Sequence, residues 1–422
     1  MNGQTALEIV LSPRGVDVHE RPLGDRQHFA SALDLCIGRS EALWALSNGP
    51  LAATSVPGAS ELSLASRGAG GSELELASLA DVGLSLDGLG RSPLVISGRC
   101  AGPSVLVLWR RGDDAAQAQL EAIDLEACLA DGGAAGVAKR AAALCAEVAA
   151  GAGAAELRSG FVLACGPAAR SGQLGAVVCS PLSDGALQGP TGLTARGAFG
   201  SRLLQQHGLA ALVVASDRPR EALLSRSASD GPFLGLFEAG MSAEELEHTL
   251  DISLDADLVR GGRLVAALRA RGRDGGLWLN GRSVSLERGD REHYALAVRQ
   301  GLVDPLLGGV GSARSAMSLG SPLVASGVCL DADLGLALGP QLGVLTRDDL
   351  VQLARRCYAL GLEPVSSGAI VAWLLDGIDA GEIAPGDVGL SSAPPKWPAP
   401  GDVRPASLLA SSPEIARAAA AL

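Results

Sequence analysis

At 422 residues, 47% hydrophobic but only 3% aromatic, the chain has room for two or three domains whose cores must be filled by Ala, Leu and Val. Its formal charge of −12, with every basic residue except Lys139 and Lys396 an arginine, argues against a nucleic acid or an anionic membrane as partner, because such surfaces require a basic face. Among the eight cysteines no two are spaced to present paired thiolates to zinc or an iron–sulfur cluster, so they read as reduced, structural thiols of a cytoplasmic protein.

The first stretch, "TALEIVLSPRGVDVHERPL", reads as two short strands around a Pro-Arg-Gly turn, with no signal-peptide pattern before it. Residues 26–47 read as a helix interrupted by Gly38, and "ASRGAGGSELELASL" as a glycine-rich connection into an amphipathic segment. "SPLVISGRCAGPSVLVLWRR" contains two β-rich runs joined by a Cys-Ala-Gly-Pro turn. The Ala-rich sequence from 114 to 156 is expected to be helical with a gap at 132–136. Strands follow around Gly166-Pro167, then a glycine-dotted loop over 182–200, a helix over 200–206 and a strand over 209–216.

Beyond about residue 217 the pattern turns helical. "SAEELEHTLD" carries a capping box from Ser242 to Glu245, and "GGLWLNGRSVSLE" reads as a hairpin-like insert. His207, His248 and His293 lie among charged or polar residues and are expected to face solvent, with no metal-ligand spacing. Thr346 caps a helix whose first turn holds Asp348 and Asp349, Gly361 stops it, and Ser366 or Ser367 caps the next, through Ile370 and Trp373. No apolar run is long enough to span a membrane. The expected fold class is α+β: a β-rich domain over 1–216, an α-helical domain over 217–390, and a Pro-rich linker with a short tail over 391–422.

The succession "RSPLVISGRCAGPSVLVLW", "FVLACGPAARSG", "TARGAFGSRLLQQHGLAALVVAS" and "LGLALGPQLGVLTRDDLVQLARRCYALGLEPVSSG" resembles the aldehyde ferredoxin oxidoreductase family, most closely over 334–383. The resemblance implies an N-terminal domain that cradles a tungsten- or molybdenum-pterin, followed by helical domains. It implies pterin contacts at Arg39, at Arg196, Gly197, Ala198 and Gly200, and at Gly361, Leu362 and Glu363, with Asp333 in the place of an active-site carboxylate. The family's Gly-Pro-Ala-Gly segment corresponds to Gly166, Pro167 and Ala168.

There are also departures. Tyr358 stands where the family's turn begins with aspartate, and the region of its cluster ligands, within 265–328, has no cysteine, so a four-iron cluster is not expected. The family's last helical domain and its second copy of the turn motif find no match. Three readings follow. The leading one is a non-catalytic or accessory relative of the pterin oxidoreductases, with an oxidoreductase or electron-transfer protein as partner. The alternatives are a cluster-free metal-pterin oxidoreductase acting on an aldehyde or related substrate, and a small-molecule-binding protein using the cleft between domains.

Overall fold

The computed structural model describes residues 5–22, 36, 41–48, 61–68, 73–79, 82–89, 93–112, 114–151, 157–188, 192–218, 263–269, 279–308 and 323–422. The chain divides into two compact units, one of residues 1–241 with Tyr358–Glu363 and one of 242–357 with 364–422. It is an α+β protein, with sheets in the first unit and mainly helices in the second.

The described residues of the first unit form two sheets. One contains β1 (Thr5–Ser12), β2 (Gly15–Pro22), β3 (Leu43–Asn48), β4 (Leu62–Arg67), β5 (Leu74–Leu79) and β6 (Leu94–Gly98), in the order β2-β1-β6-β3-β4-β5. Only the β1–β6 pairing is parallel. The other contains β7 (Ser104–Arg110), β8 (Gln117–Ala122), β9 (Ser159–Cys165), β10 (Val177–Ser183), β11 (Ala186–Leu187), β12 (Leu193–Thr194) and β13 (Leu209–Ser216). Its order is β11-β10-β9-β13-β7-β8, with β12 also on β10 and only β13–β7 parallel.

Every residue of β9 and β13 is buried, as a continuous apolar run requires when both faces of a strand are covered. Among the described residues the helices of this unit include α1 (Gly83–Asp87), α2 (Leu125–Ala130), α3 (Ala134–Gly151) and α4 (Phe199–His207). Helix α3 packs on β9 and β13, and α4 touches both sheets through β6, β9, β10 and β13. Trp44 of β3 donates its indole N–H to the Phe199 carbonyl at 3.3 Å and meets the Phe199 ring edge-on at 6.2 Å. That contact ties the start of α4 to the first sheet.

Two segments expected to be helical are strands. Leu43–Asn48 is central in its sheet, paired with β4 and β6; a short apolar run is compatible with either period, and its neighbours decide. Gln117–Ala122 has helix-favouring composition but pairs along β7, so long-range pairing overrides propensity. The amphipathic segment after "AGG" is the strand β5, while the Ala-rich helix expected around the 132–136 gap is divided between α2 and α3.

The described part of the second unit contains helical residues 263–269, α5 (Arg288–Val298) running into a π-helical turn Arg299–Val303, α6 (Asp304–Gly308), the hairpin β14 (Leu323–Ala325) and β15 (Val328–Leu330), α7 (Ala332–Leu338), α8 (Arg347–Leu360), α9 (Pro364–Asp379) and α10 (Pro405–Ala421). Residues 279–285 form 3-10 turns rather than an arm of a hairpin, with Asn280 and Gly281 left-handed inside them. Helix α9 begins at Pro364, so Ser366 and Ser367 lie within its first turn instead of capping it; proline is favoured there because the first helical N–H has no partner to lose. The helix expected at Ser242 and the residues Arg39 and His248 lie outside the described residues.

The final stretch belongs to the second unit. The Arg282 guanidinium lies 4.9 Å from the centroid of the Trp397 ring and bonds Asp379 at 2.6 Å as well as Asp376. Asp290 accepts the Gly401 N–H at 2.6 Å. The fully buried Ser412 hydroxyl accepts the N–H groups of Leu345 and Thr346 and donates to Asp349 at 2.7 Å, which fastens α10 to the start of α8.

Candidate functional site

The turn after α8 and the glycine segment before α4 both lie in the first unit. Gly361 takes the left-handed conformation, φ +65°, that ends a helix, and its N–H returns to the Tyr358 carbonyl at 3.0 Å. The turn then bonds to the segment leading into β10: the Gly361 carbonyl accepts from Ala176 at 2.8 Å, and the Glu363 N–H donates to Leu174 at 2.7 Å. Leu362 pairs with Gly175 as a one-residue antiparallel bridge. A side chain on Gly361 would begin 2.6 Å from the Gly166 nitrogen, so the turn and the Gly166–Pro167 corner meet backbone to backbone.

Tyr358 is 2% exposed, and its ring lies where a side chain on Gly192 would begin, 2.4 Å from the nearest ring atom. The position that in the resembled family carries an aspartate is thus filled by a buried ring packed on this chain's own backbone. Glu363 is buried and Leu362 half-buried.

In the other segment, Arg196 is exposed, Gly197 has φ +86°, and Ala198 precedes the first turn of α4 without a side-chain cap. The Ala198 N–H donates to the Glu75 carboxylate of β5 at 3.0 Å. The same carboxylate lies 3.1 Å from Nη2 of Arg202, whose side chain is 7% exposed, with Glu73 Oε2 at 3.3 Å from that nitrogen. Nη1 of Arg202 donates to the carbonyls of Ser66 and Glu73. A side chain on Gly200 would begin 2.2 Å from the Ala176 carbonyl, so that glycine permits close packing of α4 on the chain before β10.

Both segments contact Gly175–Ala176, with Ser201 donating to the Gly175 carbonyl on one side and Gly361 accepting from Ala176 on the other. As these loops stand, the Ala198 N–H, the Gly361 carbonyl and the Glu363 N–H are engaged by the protein itself.

Asp333 belongs to the second unit, in the first turn of α7, where its charge suits the helix dipole; the neighbouring Asp331 caps that helix by accepting the Leu334 N–H at 2.7 Å. Arg39 lies outside the described residues. Among the described residues no group of three or more His, Cys, Asp or Glu side chains is placed to hold a metal ion, and no helix is long and apolar enough to cross a membrane.

Sequence reasoning missed Glu75, Arg202 and His207. The alternation "SELEL" was a usable signal, since a strand there puts Glu73 and Glu75 on one face. Arg202 had no local signal, because its partners lie more than a hundred residues away. His207, expected at the surface, is fully buried at the end of α4. Its Nδ1 lies 2.8 Å from the Gly98 carbonyl, and Nε2 has no hydrogen-bond partner. Burial pushes its pKa below 6.5, opposed by the Gly98 bond and reinforced by Arg99. Close by, an open groove of about 500 Å³ runs between Arg99, Cys100, Pro103, Glu126, Arg170 and Gln205, with Arg170 paired to Glu126 at 2.5 Å.

The fold has a counterpart among solved structures. The chain is similar to one described as "Active site complex BamBC of Benzoyl Coenzyme A reductase in complex with 1,5 Dienoyl-CoA", with a TM-score of 0.51 and 15% identity. The likeness covers 99% of this chain and 61% of that one, so the present chain spans about three-fifths of its counterpart. At that identity the likeness concerns the fold. No family model matches the sequence, and no curated protein does.

Proposed function

We propose that this chain is a divergent, non-catalytic or accessory relative of the tungsten- and molybdenum-pterin aldehyde oxidoreductases, acting beside an oxidoreductase or electron-transfer protein. The observation that carries the reading is the Tyr358–Glu363 turn. A turn that grips a cofactor must keep polar groups directed at it, whereas Gly361 and Glu363 use theirs on Ala176 and Leu174, and the Tyr358 ring covers Gly192. The absence of cysteines from the region that resembles the family's cluster-binding part supports the same reading, because an iron–sulfur cluster needs thiolate ligands. The similarity to a subunit of an active-site complex fits a chain that works within an assembly.

The test is elemental and pterin analysis of protein purified anaerobically from cells supplied with both metals. The expected result is far less than one tungsten or molybdenum, and far less than one pterin, per chain. Stoichiometric metal and pterin would overturn the accessory reading and make the chain a cluster-free enzyme in search of its electron acceptor.

A further inference from the structure

We infer that Glu75 is a built-in substitute for an anionic ligand, closing the position between Ala198 and Arg202 to phosphate-bearing groups. A main-chain N–H at a helix start and a buried guanidinium are together a recognised arrangement for an oxyanion. Glu75 engages both: one carboxylate oxygen accepts from Ala198 at 3.0 Å and the other lies 3.1 Å from Arg202. Gly197 allows this approach, since a side chain there would begin 3.0 Å from the Glu75 carboxylate. The guanidinium is held in place by the Ser66 and Glu73 carbonyls, so it is a preset cation rather than one recruited by the carboxylates.

Charge closes the position further. Glu73 adds a second carboxylate 3.3 Å from Arg202, and two negative side chains on one cation repel any incoming anion. Glu75 lies in β5 and Glu73 immediately precedes it; among the described residues β5 ends its sheet and pairs with β4 alone. An edge strand therefore supplies the plug. The inference goes beyond the accessory reading and neither requires the other, because an accessory chain could keep an open anion site at this loop.

The experiment is equilibrium dialysis of the full chain against labelled inorganic phosphate at constant ionic strength, for the wild type, Glu75→Ala and Glu75→Gln. Glu75→Gln keeps the side-chain shape and an acceptor for Ala198 while removing the charge, so it carries the comparison if the alanine variant does not fold. The wild type should show no saturable binding at millimolar phosphate. Glu75→Ala should bind one phosphate per chain saturably, with an occupancy at millimolar phosphate at least roughly tenfold above the wild-type background, and Glu75→Gln in between. Adding Arg202→Ala should abolish the gain, and Glu121→Ala, which removes an exposed carboxylate elsewhere, should leave binding at the wild-type level. Equal binding, or none, in the wild type and both Glu75 variants would overturn the inference, as would a gain that survives loss of Arg202 or that Glu121→Ala reproduces. Metal and pterin content of the wild type, measured separately, decides the accessory reading.

Discussion

His207 shows how one side chain can depart from its sequence neighbourhood. It follows Gln205 and Gln206, yet α4 turns it inward, where only Nδ1 finds a partner. Burial disfavours its charged form and lowers its pKa. Below pH 6.5 the unfolded chain therefore takes up a proton that the folded chain does not, so the stability associated with His207 is present above that pH and is lost as pH falls below it. One such proton gives a slope of at most ~1.4 kcal/mol per pH unit. Urea unfolding at a series of pH values should show this fall below pH 6.5, and His207→Gln should flatten it. An unchanged slope in the variant would mean that other groups dominate acid destabilisation. Burial of this residue could not be read locally, because the Gly98 carbonyl it meets is 109 positions away.

At the scale of elements, the turn joining α8 and α9 separates what local chemistry specifies from what it does not. Thr346 accepts the Asp349 N–H at 3.3 Å, and Gly361 ends α8 in the left-handed region, both as their residue types imply. The surface that receives the turn, from Gly166 to Gly192, was not legible, since nothing within the turn indicates whether it faces a ligand or the chain itself. Gly361→Ala combines a left-handed backbone at a residue with a side chain and a methyl group 2.6 Å from the Gly166 nitrogen. The expected cost is about 2–4 kcal/mol, from the conformational penalty together with overpacking. Denaturant unfolding reads it as a lower midpoint; a loss below ~1 kcal/mol would mean that the contact relaxes freely.

For the whole molecule, cysteine usage is the simplest global check. All eight thiols are free, and only Cys128 is more than marginally exposed. Burial pushes the Cys165 and Cys145 thiols up to about 12 and raises Cys128 more modestly, with Arg140 partly offsetting the effect. A thiol reagent at neutral pH should therefore modify no more than one cysteine in the folded chain, slowly, and all eight after unfolding. Several fast-reacting thiols in the folded protein would contradict this burial.

The α+β class and the elements with local signals could be read from the residues alone: the β1–β2 hairpin, the apolar runs of β6, β7, β9 and β13, and helix α8 with its Thr346 cap. These follow from hydrophobic period, turn residues and end chemistry within a few positions. Long-range contacts settle that Leu43–Asn48 and Gln117–Ala122 are strands, that the Tyr358–Glu363 turn belongs to the first unit, and that Glu75 meets the start of α4. The physical reason is the same for each. Their states depend on pairing, burial and charge partners brought from distant parts of the chain, and a short segment compatible with two environments takes the one its neighbours supply.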